Sequence, residues 1–192
     1  MTELQPALIL ASASPRRREL LAQAGFVFEV APADVSEFRK PGEDPIHFVG
    51  RLAREKAEAV ISHQAVTPDT IILGADTIVV VDEEVLGKPQ DAADAARMLR
   101  MLSGRTHQVI TGVCLVKGRK RECAAEVTFV RFNTLSDEEI DAYVATGEPL
   151  DKAGAYAIQG RASRWVPRIH GCYFNVVGLP LALVSSMIEA MQ

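Results

Sequence analysis

The sequence predicts an α/β fold: one domain, in one compact body or two lobes, around a mixed sheet. Strand-like and helical patterns alternate through the first half of the chain, and strand-like runs cluster in the second. The length, 192 residues, lets a chain bury roughly 70% of its unfolded surface without disulfide or metal staples.

Taken in order, "ALILAS" reads as a first strand. Ser14 suits an N-cap and Pro15 a first helical residue, Leu20, Leu21 and Ala24 keep helical spacing, and Gly25 stops it. "FVFEVAP" is a second strand and "DVSEFRKPGEDP" a polar loop. From Pro45 a long helix carries apolar positions Ile46, Val49, Leu52, Ala53, Ala57 and Val60. "TIILGADTIVVVD" is a buried strand broken at Gly74, where a bulge would re-aim its neighbours, and "EEVLGKPQ" is a turn-rich loop. "DAADAARMLRMLSG" is a helix capped by Asp91 with Gly104 beyond its end. "THQVITGVCLVKGRKRECAAEVTFVRFNT" gives two strands around a basic turn, Lys117 to Arg121, read as a solvated hairpin tip. "SDEEIDAYVATG" opens with a capping box from Ser136 to Glu139. "EPLDKAGAYAIQG" is a long loop of small residues. "RWVPRIHG" and "YFNVVG" read as further strands before a last helix at Pro180.

Composition narrows the function classes. Hydrophobic residues make up 48% and charged residues 24%, ordinary soluble values, and the formal net charge is −4. A general basic surface for nucleic acid is therefore disfavoured, and any anion site must be built locally. No apolar stretch reaches the ~20 residues of a membrane span. The N-terminal apolar run is too short for a signal peptide. Cys114, Cys123 and Cys172 are odd in number with no C-x-x-C pair, which reads as free thiols in a reducing cytoplasm.

Charges are out of place at three points along the chain. Arg16, Arg17 and Arg18 open the first helix, where anions are favoured and each cation costs ~0.3–1 kcal/mol in a free helix. Either they splay into water or a ligand supplies the missing negative charge. A strand–turn–helix offers backbone N–H groups to an anion, and Arg16 and Arg17 add forked donors. Ser12 and Ser14 are hydroxyl donors or simply caps. Neither G-x-x-x-x-G-K-[ST] nor G-x-G-x-x-G is present. Lys56 interrupts the helical face of Val49, Leu52 and Val60: it either snorkels or projects toward a polyphosphate. Asp76 lies in the apolar run "LGADTIVVV" and must be paired, metal-bound or exposed at a strand end. It is a structural carboxylate, or a metal ligand or general base. Lys88 and Glu37, taken alone, are ordinary surface residues. The set fits metal-assisted phosphoryl or nucleotidyl chemistry. A serine or cysteine hydrolase is disfavoured: there is no G-x-S-x-G, and His47, His63, His107 and His170 share no motif spacing with the cysteines.

These segments resemble the Maf-type nucleoside triphosphate pyrophosphatases. "LASASPRRRELL" is similar to that family's S-x-S-P-R-R opening, and "RLAREKA", "LGADTIVV", "GKP" and "GEPLDKAGAYAIQG" follow in family order across nearly the whole chain. "SPRR" with "KAGAYAIQG" resembles the branch acting on dTTP and UTP; the branch acting on 7-methyl-GTP differs in both segments. The resemblance implies an elongated α/β fold of the Maf-like, ITPase-like kind, two-lobed, with a curved sheet and a cleft. It implies hydrolysis of a nucleoside triphosphate to monophosphate and pyrophosphate with Mg²⁺ or Mn²⁺, and cytoplasmic house-cleaning of nucleotide pools. It implies no nucleic-acid or membrane partner, and a homodimer among the expected assemblies. By position, Asp76 falls on the proton acceptor. Arg16, Thr77 and Gln159 fall on substrate-choice positions, and Arg17, Lys56 and Lys88 on phosphate-contacting ones, with Ser12 and Ser14 in the opening loop. Glu37 falls on an acid tied to metal and catalysis, so that Glu37 and Asp76 are the expected metal ligands. Ser36 stands where many relatives carry a second acid. Gln159 would read the carbonyl–NH–carbonyl edge of uracil or thymine through its amide. The alternative is a nucleotide-binding regulator of septum formation with little turnover.

Overall fold

The computed structural model describes residues 8–63 and 66–191. Its order is β1 (Leu8–Ala11), α1 (Pro15–Gln23), β2 (Glu29–Val30), α2 (Pro45–His63), β3 (Ile71–Val81), β4 (Glu84–Leu86), α3 (Ala92–Leu102), β5 (Thr106–Lys117), β6 (Lys120–Arg131) and α4 (Asp137–Val144). Three short 3₁₀ turns follow, Glu148–Asp151, Ala153–Ala155 and Arg161–Trp165, then β7 (Arg168–His170), α5 (Tyr173–Val177) and α6 (Leu181–Ala190). The sheet runs β2-β1-β3-β5-β6-β7, with β4 on β3. β1 is parallel to β2 and β3, while β4 and β7 pair antiparallel, so the sheet is mixed. Helices α1 and α2 serve as the crossovers that parallel pairing demands.

The chain divides into two compact units. The first takes the described residues of Met1–Asp76, Thr111–Glu126 and Gly178–Gln192; the second is Thr77–Ile110 with Val127–Val177. In the first, Ile9, Ala11, Ala57, Val60, Ile72 and Val116 form one apolar cluster that seats α2 on the sheet. In the second, the rings of His107, Phe132, Tyr156, Trp165 and Tyr143 meet edge to face in series.

Local signals held where a cap names them. Ser14 accepts the N–H of Arg17, Asp91 that of Asp94, and Ser136 and Glu139 close a capping box. Several expectations are corrected. β3 is not broken at Gly74: it runs unbroken through it, with Gly74 in register with Ala11 on β1. Gly74 serves close approach instead: a Cβ there would lie 1.9 Å from the Ala53 carbonyl oxygen on α2. Ile46 is 45% exposed and Phe48 takes its place in the buried stripe. "EEVLGKPQ" contains β4, and "FVFEVAP" pairs over only two residues at the sheet edge. "YFNVVG" is the short helix α5. The buried Asn175 amide donates to the Val109 carbonyl and to Thr128 Oγ1, and these tertiary bonds override the strand propensity of valine and aromatic residues.

The cysteines are corrected too: Cys114 and Cys123 form a disulfide, and Cys172 alone is free. The two-residue turn Gly118–Arg119 sets the register, so cysteines four residues from each end of the turn face each other across β5 and β6. The basic tip is also not simply solvated. Lys117 and Lys120 donate to the Met191 and Ala190 carbonyls at the end of α6, and Arg121 pairs with Glu58.

Candidate active site

β1 ends at Ala11 and the chain turns through Ser12–Ser14 into α1. The turn is braced from within. Ser12 Oγ accepts from the Ser14 N–H at 3.2 Å and from Arg17 Nη1 at 3.2 Å, and Ser14 Oγ accepts the Arg17 N–H at 3.4 Å. A hydroxyl has two lone pairs and one proton. With both lone pairs of Ser12 engaged, its O–H hydrogen is what remains to give, as a phosphate oxygen requires.

The three arginines separate in fate. Arg18 is exposed and Arg16 half-buried, whereas Arg17 is buried. Arg17 Nε donates to the Gly178 carbonyl at 2.8 Å and Nη1 to the Ala75 carbonyl at 2.9 Å. The same guanidinium thus fixes the turn, β3 beside Asp76, and the residue that leads into α6. Burial lowers its pKa, against the opposing field of Asp76, and a guanidinium remains charged regardless.

Lys56 resolves its two readings. It does not snorkel. It is buried on the apolar stripe of α2, and its ammonium donates to Glu37 Oε1 at 2.6 Å and Asp76 Oδ1 at 2.7 Å. Asp76 is buried as well, and burial pushes its carboxyl above the usual range against the pull of Lys56 and Arg17. A carboxylate held so is a stronger base than one in water. Glu37 is the exposed partner, its side chain 54% accessible. Its loop has no regular structure and is tied to α2 by Arg51. That guanidinium takes both Glu43 oxygens, at 2.7 and 2.8 Å, and the Phe38 carbonyl at 3.1 Å. The pairing holds Glu43 well below the ordinary carboxylate range, at about 2. Sequence reading missed Arg51 and Glu43; the Arg51–Glu55 spacing on one helix was visible, the contact to Glu43 was not.

The structure therefore gathers Ser12, Ser14, Arg17, Glu37, Lys56 and Asp76 in the first unit through direct contacts or one intervening carbonyl, with Arg16 in the first turn of α1. Two carboxylates converge on one ammonium. Mg²⁺ is commonly held by one or two carboxylates plus substrate phosphates, so Glu37 and Asp76 fit such an ion. Among the described residues no cluster of three or more acidic, histidine or cysteine side chains could hold a metal unaided.

Thr77, Lys88 and Gln159 belong to the second unit. Thr77 follows Asp76 along β3 and is half-buried; Lys88 and Gln159 are exposed. The Gly154 N–H donates to the Gly87 carbonyl at 3.0 Å, joining the loop that bears Gln159 to the residue before Lys88. Gly154 (φ 67°) and Ala155 (φ 60°) are both left-handed, and a Cβ on Gly154 would meet Val79 at 2.7 Å. Glycine is thus required here for dihedral and space together.

In fold the chain is similar to the Staphylococcus aureus Ham1 protein, with a TM-score of 0.53 and 14% identity over 97% of this chain and 100% of that one. The class is thus an α/β protein with an open mixed sheet. The sequence profile of the Maf-like proteins matches residues 7–191, and the chain belongs to that family. It is 59% identical over 182 residues to a dTTP/UTP pyrophosphatase of Koribacter versatilis, covering 95% of this chain and 93% of that one. It is 57% identical over 180 residues to that of Geobacter sulfurreducens (92% and 92%) and 55% over 174 residues to that of Salmonella typhimurium (91% and 87%). No described helix is long and apolar enough to cross a membrane.

Proposed function

We propose that this protein is a nucleoside triphosphate pyrophosphatase. It hydrolyses dTTP and UTP to the monophosphate and pyrophosphate, with a divalent cation, and clears nucleotide pools in the cytoplasm. The observation that carries the reading is the buried Asp76 carboxylate, its pKa raised, clasped with Glu37 on the Lys56 ammonium and backed by Arg17 at the mouth of α1. The names of the relatives supply the substrates.

The triphosphate lies against the N-terminus of α1, accepting hydrogen bonds from the hydroxyls of Ser12 and Ser14 and neutralised by the charge of Arg16 and Arg17. Asp76 accepts the proton of the attacking water, and its raised basicity suits that role. Lys56 keeps Asp76 and Glu37 in place and offsets charge as pyrophosphate leaves. Glu37 and Asp76 would hold Mg²⁺ or Mn²⁺, which supplies charge neutralisation on the phosphates. Lys88 contacts phosphate, and Thr77 and Gln159 select the base.

The test is incubation with UTP and Mg²⁺. UMP and pyrophosphate are expected, and Asp76→Asn lowers turnover by about 100-fold or more while the far-UV spectrum is kept. Release of orthophosphate would make the protein a phosphatase, and tight UTP binding without products would make it the regulator.

A further inference from the structure

Gln159 sits at the tip of a four-residue turn. Gly160 N–H donates to the Ala157 carbonyl at 3.0 Å and closes it. Both ends of that turn are gripped by two residues outside it. At the leading end, the Ala157 N–H donates to Tyr143 Oη at 3.2 Å. At the trailing end, the Arg161 N–H donates to Glu148 Oε1 at 3.1 Å, and Gly160 lies so close that a Cβ there would stand 2.0 Å from that oxygen. The grips are joined: Tyr143 Oη donates to Glu148 Oε1 at 2.7 Å.

The grip is itself anchored. Tyr143 is buried near the end of α4, its ring edge-on to Trp165. The Tyr143 carbonyl accepts Thr146 Oγ1, which in turn accepts the Glu148 N–H, so the backbone between the two residues is folded on itself. Before the turn, Tyr156 is buried and its hydroxyl meets His107 Nε2 at 2.8 Å. A polar side chain displayed on an exposed loop has little directional value unless the loop is fixed; here the fixing groups are a phenol and a carboxylate.

We propose that Tyr143 and Glu148 are positioning residues for base selection: they hold the Ala157–Gly160 turn so that the Gln159 amide presents a fixed donor and acceptor to a carbonyl–NH–carbonyl pyrimidine edge. The inference rests on the reading of Gln159 given above. Uracil and cytosine differ at two groups of that edge: a carbonyl against an amine at C4, and an N–H donor against a bare nitrogen acceptor at N3. A turn free to rock lets the amide pair with either, so loosening it erodes discrimination more than turnover.

The experiment measures kcat/KM for UTP and CTP in the wild type, Tyr143→Phe, Glu148→Ala, Glu148→Gln and Gln159→Ala, well below each melting temperature. Tyr143→Phe removes the acceptor of Ala157 and the donor to Glu148 at nearly constant volume. It is expected to lower the UTP:CTP ratio about ten-fold, with the loss concentrated in KM for UTP. Glu148→Ala does the same, and Glu148→Gln, which keeps a carbonyl acceptor, restores most of the ratio. If Tyr143→Phe does not fold, the Glu148 pair decides alone. A ratio within two-fold of wild type in Tyr143→Phe and Glu148→Ala, while Gln159→Ala loses it, overturns the inference and leaves the pyrophosphatase reading standing. So does a Glu148→Gln variant as unselective as Glu148→Ala. A wild type that releases no pyrophosphate overturns both.

Discussion

Lys56 is where a helix-forming pattern gives way to chemistry. A lysine on a buried stripe is stabilised only by its partners, and here there are two carboxylates within hydrogen-bond reach. Removing one partner of a buried pair leaves an uncompensated charge, which costs about 3 to 5 kcal/mol, while replacing both can be nearly neutral. Lys56→Met is therefore expected to lower stability by about 3 kcal/mol in urea unfolding, and Lys56→Met with Asp76→Asn to recover much of it. A double variant no better than the single would mean that the ammonium and the Asp76 carboxylate are not coupled. At this scale the sequence was legible wherever a residue broke its element's pattern. Lys56 interrupted an apolar helix face and Asp76 an apolar strand. Glu37 broke nothing, since an acid in a polar loop is expected there, and only the family resemblance singled it out. Arg17 and Arg16 looked alike in sequence. The difference between them is set by the Gly178 and Ala75 carbonyls, which come from distant parts of the chain.

At the scale of elements, α2 carries Lys56 to its carboxylates because glycines let the helix backbone lie against the sheet. A Cβ on Gly74 would meet the Ala53 carbonyl oxygen and the Ala57 nitrogen, and one on Gly112 the Val49 carbonyl at 2.5 Å. Both obstacles are backbone, which cannot swing aside. Gly50, inside α2, has nothing within 4 Å of its missing Cβ. The two substitutions should move stability in opposite directions. Gly50→Ala is expected to add about 0.5–1 kcal/mol, the helix-propensity gain. Gly74→Ala is expected to cost about 1–3 kcal/mol or more through overpacking, and to lower turnover by displacing Lys56. Chemical denaturation of both variants checks the signs. Element types were legible from period and caps, as in α1, α3 and α4. The type of α5 and the short extent of β2 were not legible, and both depend on long-range partners. Asn175 draws α5 onto Val109 and Thr128, and β2 has only the edge of β1 to pair with. Gly74 is ambiguous for the same reason: a glycine in a strand signals a bulge, a break or a close approach, and the close approach is visible only once α2 is in place.

For the molecule as a whole, the most informative titration lies away from the proposed chemistry. His107 is buried in the aromatic cluster, and burial pushes its pKa down to about 3. Its Nδ1 is buried without a hydrogen-bond partner, so the folded state gives a proton on that nitrogen no acceptor. The sign follows from linkage. The unfolded chain binds a proton below the ordinary imidazole pKa of about 6.5, and the folded chain refuses it until about 3. The stabilisation is complete above about 6.5 and is lost as pH falls toward 3, by up to about 1.4 kcal/mol per pH unit. Between pH 7 and pH 5 the wild type should therefore lose about 2 kcal/mol more than His107→Gln, whose amide keeps a bond to Tyr156 Oη but does not titrate. A packing defect in the variant would appear as an offset common to both pH values. Only the proton produces a difference in slope, and urea unfolding at the two pH values separates them. Parallel pH dependences would mean that the imidazole is protonated in the folded protein, and that the cluster behind the Gln159 turn is wetter than its geometry indicates.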